Sequence, residues 1–292
     1  MRGSRTLPTS KPWRYHLVHG ARCLEQGDFA GARRHFAAAY YEAPEEPIVC
    51  VAWGRELLRA GDVAGAEPLV RLAWERDPTL LSAGFTLSRL LGLHRGRPDE
   101  ALAILDRVDR SHGVSATTLM LRGELALRAP TAHDEAKRLF EHARELGADE
   151  ALVRVGLAKA WNAEGIACTQ VGEHHQALFA LKRASDLDPT WPGPLTNSGA
   201  VFERLGMPRK ARSHYRAALR LDPHNPVALF NLADSLRKGG SRDEAARFFR
   251  RLLRVQPDYP GAREALAQLP PRQPARPRRP PLRPTNHPRA VD

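Results

Sequence analysis

Two consecutive segments of 34 residues in the second half of the chain have the same small and large residues at the same places. Residues 192–225 read PGPLTNSGAVFERLGMPRKARSHYRAALRLDPHN, and residues 226–259 read PVALFNLADSLRKGGSRDEAARFFRRLLRVQPDY. The shared positions are 8 (Gly199, Ala233), 15 (Gly206, Gly240), 20 (Ala211, Ala245), 24 (Tyr215, Phe249) and 32 (Pro223, Pro257). A fixed period of this length predicts a chain of stacked structural repeats, because each unit is too small to bury its apolar face alone.

The pattern resembles the tetratricopeptide repeat (TPR), a family of helix–turn–helix units with a period of 34 residues. The resemblance implies an all-α fold, a right-handed α-solenoid (superhelix) of about seven such repeats. Small residues at positions 8 and 20 allow the two helices of a unit to approach closely. The large residue at position 24 fills the space beside that contact, and Pro at position 32 ends the second helix.

The same register predicts five earlier units. They are residues 13–46, 47–80, 82–116, 117–150 and 158–191. The third and fourth units are degenerate, because Arg89 and Glu124 stand at position 8, where the others have a small residue. Residues 151–157 (ALVRVGL) are inserted helix formers, which predicts that the next unit has a first helix lengthened by about two turns at its start.

The insertion and the change of composition near the C-terminus predict the domain organisation. We expect a flexible N-terminus (1–12), an N-terminal TPR module (13–150) and a C-terminal TPR module (151–269) that ends in a capping helix (260–269). Residues 270–292 contain eight Pro and six Arg, a composition that predicts a disordered tail.

The net charge of +12 is concentrated at the termini when it is divided by these boundaries. Residues 270–292 have a net charge of +5 and residues 1–12 of +3, which leaves +4 for residues 13–269. Arg outnumbers Lys by 39 to 6, so a GC-rich coding bias is a simpler explanation than a dedicated basic surface. Binding of nucleic acid through the tail stays an alternative.

The tail also contains RRPPLRP (278–284) and PARPRR (274–279), which match ligand motifs of SH3-like domains in polyproline II conformation. In a stretch this rich in Pro and Arg such matches arise readily. A flexible basic tail without a dedicated receptor is the simpler interpretation.

The sequence predicts a cytoplasmic protein. It contains no apolar stretch long enough for a membrane span and no apolar segment of a secretory signal near its start. Its cysteines, Cys23, Cys50 and Cys168, are odd in number and form no CxxC pair, which favours a reducing compartment. All three fall at inward-facing repeat positions, so we expect small core residues.

No catalytic or cofactor motif is present in the sequence, and we expect neither enzymatic activity, a cofactor, a bound metal nor a small-molecule substrate. His16 and His19 lie three residues apart on a predicted helix, and His174 and His175 are adjacent. Neither pair has cysteine or carboxylate companions at ligand spacing. Core packing for His16 and a solvated turn for His174 and His175 are the expected roles.

The TPR resemblance implies that an extended or helical peptide binds in a concave groove lined by the first helix of each unit. The candidate groove residues in the C-terminal module are Asn162, Asn197, Asn231, Arg204, Asp234, Arg237 and Lys238. Asn197 and Asn231 both occupy position 6, where an amide ladder can bind a peptide backbone, although Asn there is also ordinary consensus. Arg204, Arg237 and Lys238 predict a basic rim.

The carboxylate clamp that some TPR proteins use to capture chaperone tails is absent. Of its five positions, occupied here by Asn162, Ile166, Asn197, Val227 and Asn231, only Asn197 matches. The resemblance therefore predicts a non-catalytic adaptor or scaffold with a protein or peptide partner, for example in assembly of a bacterial multiprotein complex. The alternatives are a nucleic-acid-associated protein that uses the Arg/Pro tail, and an accessory subunit that recruits an enzyme in trans.

Overall fold

The computed structural model describes residues 11–269, which form fifteen α-helices and a short π-helical segment but no β-strand. The helices are α1 (Pro12–Glu25), α2 (Phe29–Glu42), α3 (Pro47–Arg59), α4 (Val63–Arg76), α5 (Leu81–Arg89) with the π-helical segment (Leu90–His94), α6 (Pro98–His112), α7 (Ala116–Ala126), α8 (His133–Glu145), α9 (Glu150–Gln170), α10 (His174–Leu187), α11 (Gly193–Arg204), α12 (Pro208–Leu221), α13 (Pro226–Lys238), α14 (Arg242–Val255) and α15 (Ala262–Ala267). The all-α class is confirmed. Within the described residues the helices α1 to α14 follow the seven predicted helix–turn–helix units.

In every unit except the fourth, the turn between the two helices contains a glycine at position 15. Gly27 and Gly240, for example, have φ angles of 76° and 80°, in the left-handed region that residues with a Cβ rarely adopt. In the first two units an aspartate then caps the second helix. The side chains of Asp28 and Asp62 accept hydrogen bonds from the backbone N–H of Gly31 and Gly65, each at 2.8 Å.

The interior of each hairpin pairs a small residue with a large one, as the register predicts. A Cβ added to Gly20 would lie 2.7 Å from Cε1 of Phe36, and one added to Gly199 would lie 2.3 Å from Cε1 of Tyr215. Ala211, at position 20, is fully buried. Because any larger side chain at these places would push the helices apart, the small–large pairs determine the spacing inside each unit.

The third and fourth units keep this packing one residue earlier than the sequence register places it. Ser88 is fully buried where Arg89 was expected, and Arg89 is exposed. Gly123, not Glu124, approaches the ring of Phe140, with 2.6 Å between its added Cβ and Cε1. The two units are therefore less degenerate than their consensus positions indicate.

The third unit, residues 82–116, has 35 residues instead of 34, and the π-helical segment accommodates the extra one. The N–H of Arg95 bonds to the carbonyl of Leu90, a five-residue step that widens the helix by one residue. Leu90, Leu91 and Gly92 stay buried through this wider turn. The insertion is thus absorbed before α6 begins, and Ala101 returns to a fully buried position.

The insertion at 151–157 forms part of α9, a single helix of 21 residues. Its first turns are buried against α8, because Val153, Leu157 and Ala160 belong to one apolar cluster with Ala136 and Phe140.

Contacts divide the chain into two compact units, residues 1–197 and residues 198–292, rather than at 150/151 as predicted from the insertion. The predicted boundary differs because the cluster around Phe140 joins residues on both sides of it. The terminal helix α15 has six residues and is shorter than the predicted 260–269. The predicted flexible residues 1–10 and the predicted disordered tail lie outside the described residues.

Candidate peptide-binding groove

A groove of about 370 Å³ lies along the first helices of three consecutive units, α5, α7 and α9. Its apolar lining residues are Phe85, Met120, Leu121, Leu152 and Val155, and its charged ones are Arg89, Glu124, Asp149 and Lys159. A mainly apolar concavity with a few charged groups has the composition of a ligand-binding site.

The two sides of the inserted turns of α9 have different roles. Val153, Gly156 and Leu157 are buried against the preceding unit. Leu152 and Val155, three residues apart on the other side, are 61% and 38% exposed and face the groove. Exposure of two branched aliphatic side chains to water is unfavourable, and a partner that covered them would recover free energy.

Two of the predicted groove residues are brought together at the far end of α9. The amide nitrogen Nδ2 of Asn197 donates a 2.8 Å hydrogen bond to Oδ1 of Asn162. Asn162 is buried and Asn197 is half-buried. Because each amide has both donor and acceptor atoms, the pair keeps further donors and an acceptor for a peptide backbone.

The α9 residues of the groove and of this pair lie on one helix face. Leu152, Val155, Lys159, Asn162 and Ile166 follow steps of three and four residues, which is the spacing of one side of an α-helix. Ile166 is 40% exposed. The apolar groove and the asparagine pair are thus parts of one continuous strip on α9.

The remaining predicted residues do not form a free basic rim. In the second compact unit (residues 198–292), the carboxylate of Asp234 pairs with Arg237 at 2.6 Å and with Lys238 at 2.7 Å, and all three residues lie on α13. Burial raises the pKa of Asp234, but the hydrogen bonds from Lys238 and Arg237 outweigh this effect and hold the pKa below its ordinary value. The predicted basic character is therefore largely neutralised at Arg237 and Lys238. Asn231 lies half-buried on the same helix, and Arg204 is exposed at the end of α11.

The histidines differ in part from their expected roles. Nδ1 of His16 lies 3.1 Å from Nδ1 of His35, a contact between the first two helices that the sequence did not predict. His174 and His175 begin α10 instead of lying in a turn. In the stretch from residue 11 to 269, no three His, Cys, Asp or Glu side chains are arranged to hold a metal ion.

The cysteines are all free thiols, two of them in the core. Cys50 and Cys168 are buried, whereas Cys23 is half-buried and so less enclosed than predicted. Burial raises the pKa of the Cys50 and Cys168 thiols, which makes both poor nucleophiles.

The groove between α5, α7 and α9 was missed by sequence reasoning, which favoured the more regular C-terminal units. The available signal was the insertion itself. Leu152 and Val155 are apolar residues at i and i+3, with Lys159 completing that face, while Val153 and Leu157 are apolar on the opposite side. A short helical stretch with two apolar faces can bury only one of them within its own hairpin, so the other face is left for another contact.

The successive hairpins define the chain as a helical repeat protein of the α-solenoid class. Comparison with known families agrees with this assignment: a family profile described as tetratricopeptide repeat matches residues 204–269, and one described as protein kinase G tetratricopeptide repeat matches residues 5–148. The chain is a tetratricopeptide repeat protein. No curated protein sequence matches it significantly.

Solved structures with this fold support the same conclusion. A tetratricopeptide repeat protein from Parabacteroides merdae matches with a TM-score of 0.60 at 13% identity, covering 88% of this chain and 98% of the other. The Cut9–Hcn1 heterotetramer of the APC/C matches at 0.59 and 15% identity, covering 86% and 48%. PilF of Pseudomonas aeruginosa matches at 0.55 and 18% identity, covering 76% and 96%. At these identities the likeness extends to the fold alone.

TPR repeats generally mediate interactions between proteins, and they are typically non-catalytic. None of the described helices is long and apolar enough to cross a membrane.

Proposed function

We propose that this chain is an adaptor that binds a segment of a partner protein in the groove formed by α5, α7 and α9. The observation that carries the proposal is the exposure of Leu152 and Val155 inside that apolar concavity. Burying a fully exposed Leu or Val side chain contributes about 1.5–3 kcal/mol. Leu152 and Val155, which are partly exposed, would each contribute a corresponding part of that free energy when a partner covers them. Apolar anchors of this kind provide most of the affinity of peptide-binding grooves.

The asparagine pair adds a polar contact at the end of the same strip. Asn162 and Asn197 are held in a defined orientation by their mutual hydrogen bond, so little entropy is lost when they bind a peptide amide. An apolar segment of the ligand next to Leu152, followed by backbone contacts to Asn197, fits the order of these residues along α9. We expect no chemical step in this site, and we place its action in a reducing compartment because all three thiols are free.

The test is a peptide-display selection on the immobilised full-length protein, with counter-selection on the variant Leu152→Glu. The matched control is Val171→Glu, which changes an apolar side chain of 73% exposure just after the end of α9, away from the groove. Neither substitution should change the free energy of unfolding by more than about 0.5 kcal/mol, because both side chains are mainly exposed.

We expect the selected peptides to bind the wild type and the Val171→Glu variant equally, and to lose at least about tenfold in affinity, roughly 1.4 kcal/mol, on Leu152→Glu. Peptides that bind all three proteins with the same affinity would place the binding surface elsewhere.

A further inference from the structure

The net charge of the protein is distributed very unevenly between its two compact units. Residues 1–197 contain 25 Lys and Arg against 25 Asp and Glu, whereas residues 198–292 contain 20 against 8. The whole net charge of +12 therefore belongs to the second unit. Part of this excess is in its folded portion, since residues 198–269 contain 14 basic and 7 acidic side chains.

Four arginines of this unit occupy equivalent positions on its two second helices. Arg216 and Arg220 stand at repeat positions 25 and 29 on α12, and Arg250 and Arg254 stand at the same positions on α14. A step of four residues places each pair on one side of its helix. All four side chains are exposed. In the fifth repeat the same two positions hold Lys182 and Asp186, which neutralise each other at 2.9 Å.

Two contacts place α14 alongside α12. Nη2 of Arg216 lies 2.8 Å from Oε1 of Glu244 in the first turn of α14, and Nη2 of Arg251 donates a 2.7 Å hydrogen bond to the carbonyl of Pro223, just past the end of α12. The second half of α12 thus meets the first turn of α14, and the residues just past the end of α12 meet the second half of α14; both contacts join residues 28 positions apart in the chain. The four arginines consequently belong to neighbouring helices that run in the same direction.

Most of this positive charge has no counter-charge in the protein. Arg216 has Glu244, but the guanidinium groups of Arg220, Arg250 and Arg254 have no carboxylate within ion-pair distance among residues 11–269. The exposed large apolar residues nearest in sequence are Leu221 and Val255, and no large exposed aromatic residue lies on α12 or α14. The surface therefore offers charge without the aromatic platforms that stack on single-stranded bases or anchor a protein in a bilayer.

We propose that the face formed by Arg216, Arg220, Arg250 and Arg254, which we name the arginine face, binds the phosphate backbone of a nucleic-acid duplex independently of base sequence. Guanidinium groups donate paired hydrogen bonds to phosphate oxygens, and each phosphate contact releases condensed counterions. Positions 25 and 29 lie four residues apart, which spaces successive charges by about 6 Å along each helix axis. The function is additional to peptide binding by the groove, and it differs from binding through residues 270–292 because it depends on folded helices.

The test measures fluorescence anisotropy of a labelled DNA duplex of mixed sequence with the full-length protein at several salt concentrations. The variant is Arg216→Gln, Arg220→Gln, Arg250→Gln and Arg254→Gln combined. The matched control replaces four exposed arginines of the first compact unit (residues 1–197) by Gln: Arg22, Arg33, Arg55 and Arg138. Its net charge therefore equals that of the arginine-face variant. A third protein has Gln in place of all six arginines of residues 270–292. Thermal melting of each protein checks that it is folded.

Four phosphate contacts predict a slope of about −3.6 for log K against log salt, equivalent to roughly a hundredfold loss of affinity between about 50 and 200 mM salt. We expect the arginine-face variant to lose most of that slope and at least about tenfold in affinity at the lower salt concentration. The matched control should keep both values, and the tail variant should keep a measurable slope.

Equal binding by the arginine-face variant and its matched control would overturn the proposal, as would complete loss of binding in the tail variant alone. Two further probes cover other polyanions. Binding to vesicles containing phosphatidylserine, or to polyglutamate, with no binding to the duplex would also reject the proposal in favour of a membrane or an acidic protein.

Discussion

The ring of Phe140 packs directly against the backbone of Gly156, so closely that a Cβ added to Gly156 would lie 2.7 Å from Cε1 of the ring. The same ring packs equally closely against Gly123 on α7, and Phe140 is fully buried. One aromatic side chain thus joins the fourth unit to the inserted turns of α9. This contact determines which side of those turns is buried and leaves Leu152 and Val155 open to the groove.

The first prediction concerns this contact. On an unhindered helix Gly→Ala stabilises by about 1 kcal/mol, but Gly156→Ala should instead destabilise the protein by about 1–3 kcal/mol because the fully buried ring must move. Urea unfolding measures the change. In a Phe140→Leu background the same substitution should cost less, since the shorter side chain leaves space. Additive effects of the two substitutions would contradict a direct contact between them.

The second prediction concerns the asparagine pair. Asn197→Ala removes the donor that satisfies Oδ1 of buried Asn162, and it should lower the free energy of unfolding by about 1 kcal/mol. The control is Asn231→Ala at the same repeat position, where the amide makes no hydrogen bond to any residue between 11 and 269. Urea unfolding of both variants and of the Asn162→Ala/Asn197→Ala double variant measures the coupling. An equal loss of unfolding free energy in the Asn231→Ala variant would show that the hydrogen bond between Asn162 and Asn197 does not account for the effect.

The third prediction concerns pH. The pKa of Asp234 is held below its ordinary value in the folded protein, so its ion pairs contribute stability above the unfolded pKa, and this contribution is lost as the pH falls through the folded value. Asp234→Asn should therefore destabilise the protein by up to about 1 kcal/mol at pH 7 and have no such effect in strong acid. Melting temperatures across the acid range test this. Asp258→Asn, at an exposed residue without an ion pair within the described chain, is the control and should leave the melting temperature at pH 7 unchanged.

The fourth prediction concerns the thiols. Cys23 is half-buried, whereas burial raises the pKa of Cys50, whose thiol also donates a 3.0 Å hydrogen bond to the carbonyl of Pro44. Burial likewise raises the pKa of Cys168. Alkylation of the native protein at mildly alkaline pH, read by mass spectrometry, should label Cys23 first, because the other two have less thiolate and less access. In denaturant all three should react at similar rates. Early labelling of Cys50 in the native state would contradict its burial.

Sequence alone was sufficient for the parts of the fold that depend on contacts inside one hairpin. Gly20 and Phe36 are 16 residues apart, as are Gly199 and Tyr215, and this fixed separation is visible as a repeat. In the fourth unit the separation is 17, from Gly123 to Phe140, and in the third unit the buried small residue, Ser88, likewise stands one place before position 8. A repeat register of fixed length therefore assigned position 8 to Arg89 and Glu124 instead, because it cannot locate an extra residue within a helix or a turn.

The candidate sites were less predictable because they depend on how neighbouring units pack. Leu152 and Val155 fall in the insertion, which has no repeat position, so the register assigned them no surface. The ion pairs of Asp234 depend on side-chain geometry within α13 that a list of basic residues does not contain. The charge asymmetry follows the division of the chain between Asn197 and Ser198, which the repeat pattern of the sequence does not mark.

The π-helical segment after α5 has a consequence for how such a chain tolerates changes of length. In a regular α-helix one added residue turns every later side chain by about 100° around the axis, so it would exchange buried and exposed residues down to the end of the helix. Here the surplus is confined to Leu90–His94, and Ala101 still reaches the interior. The extra residue therefore leaves the packing of the later helices unchanged, because the alternation of buried and exposed side chains is restored within the five residues of this segment.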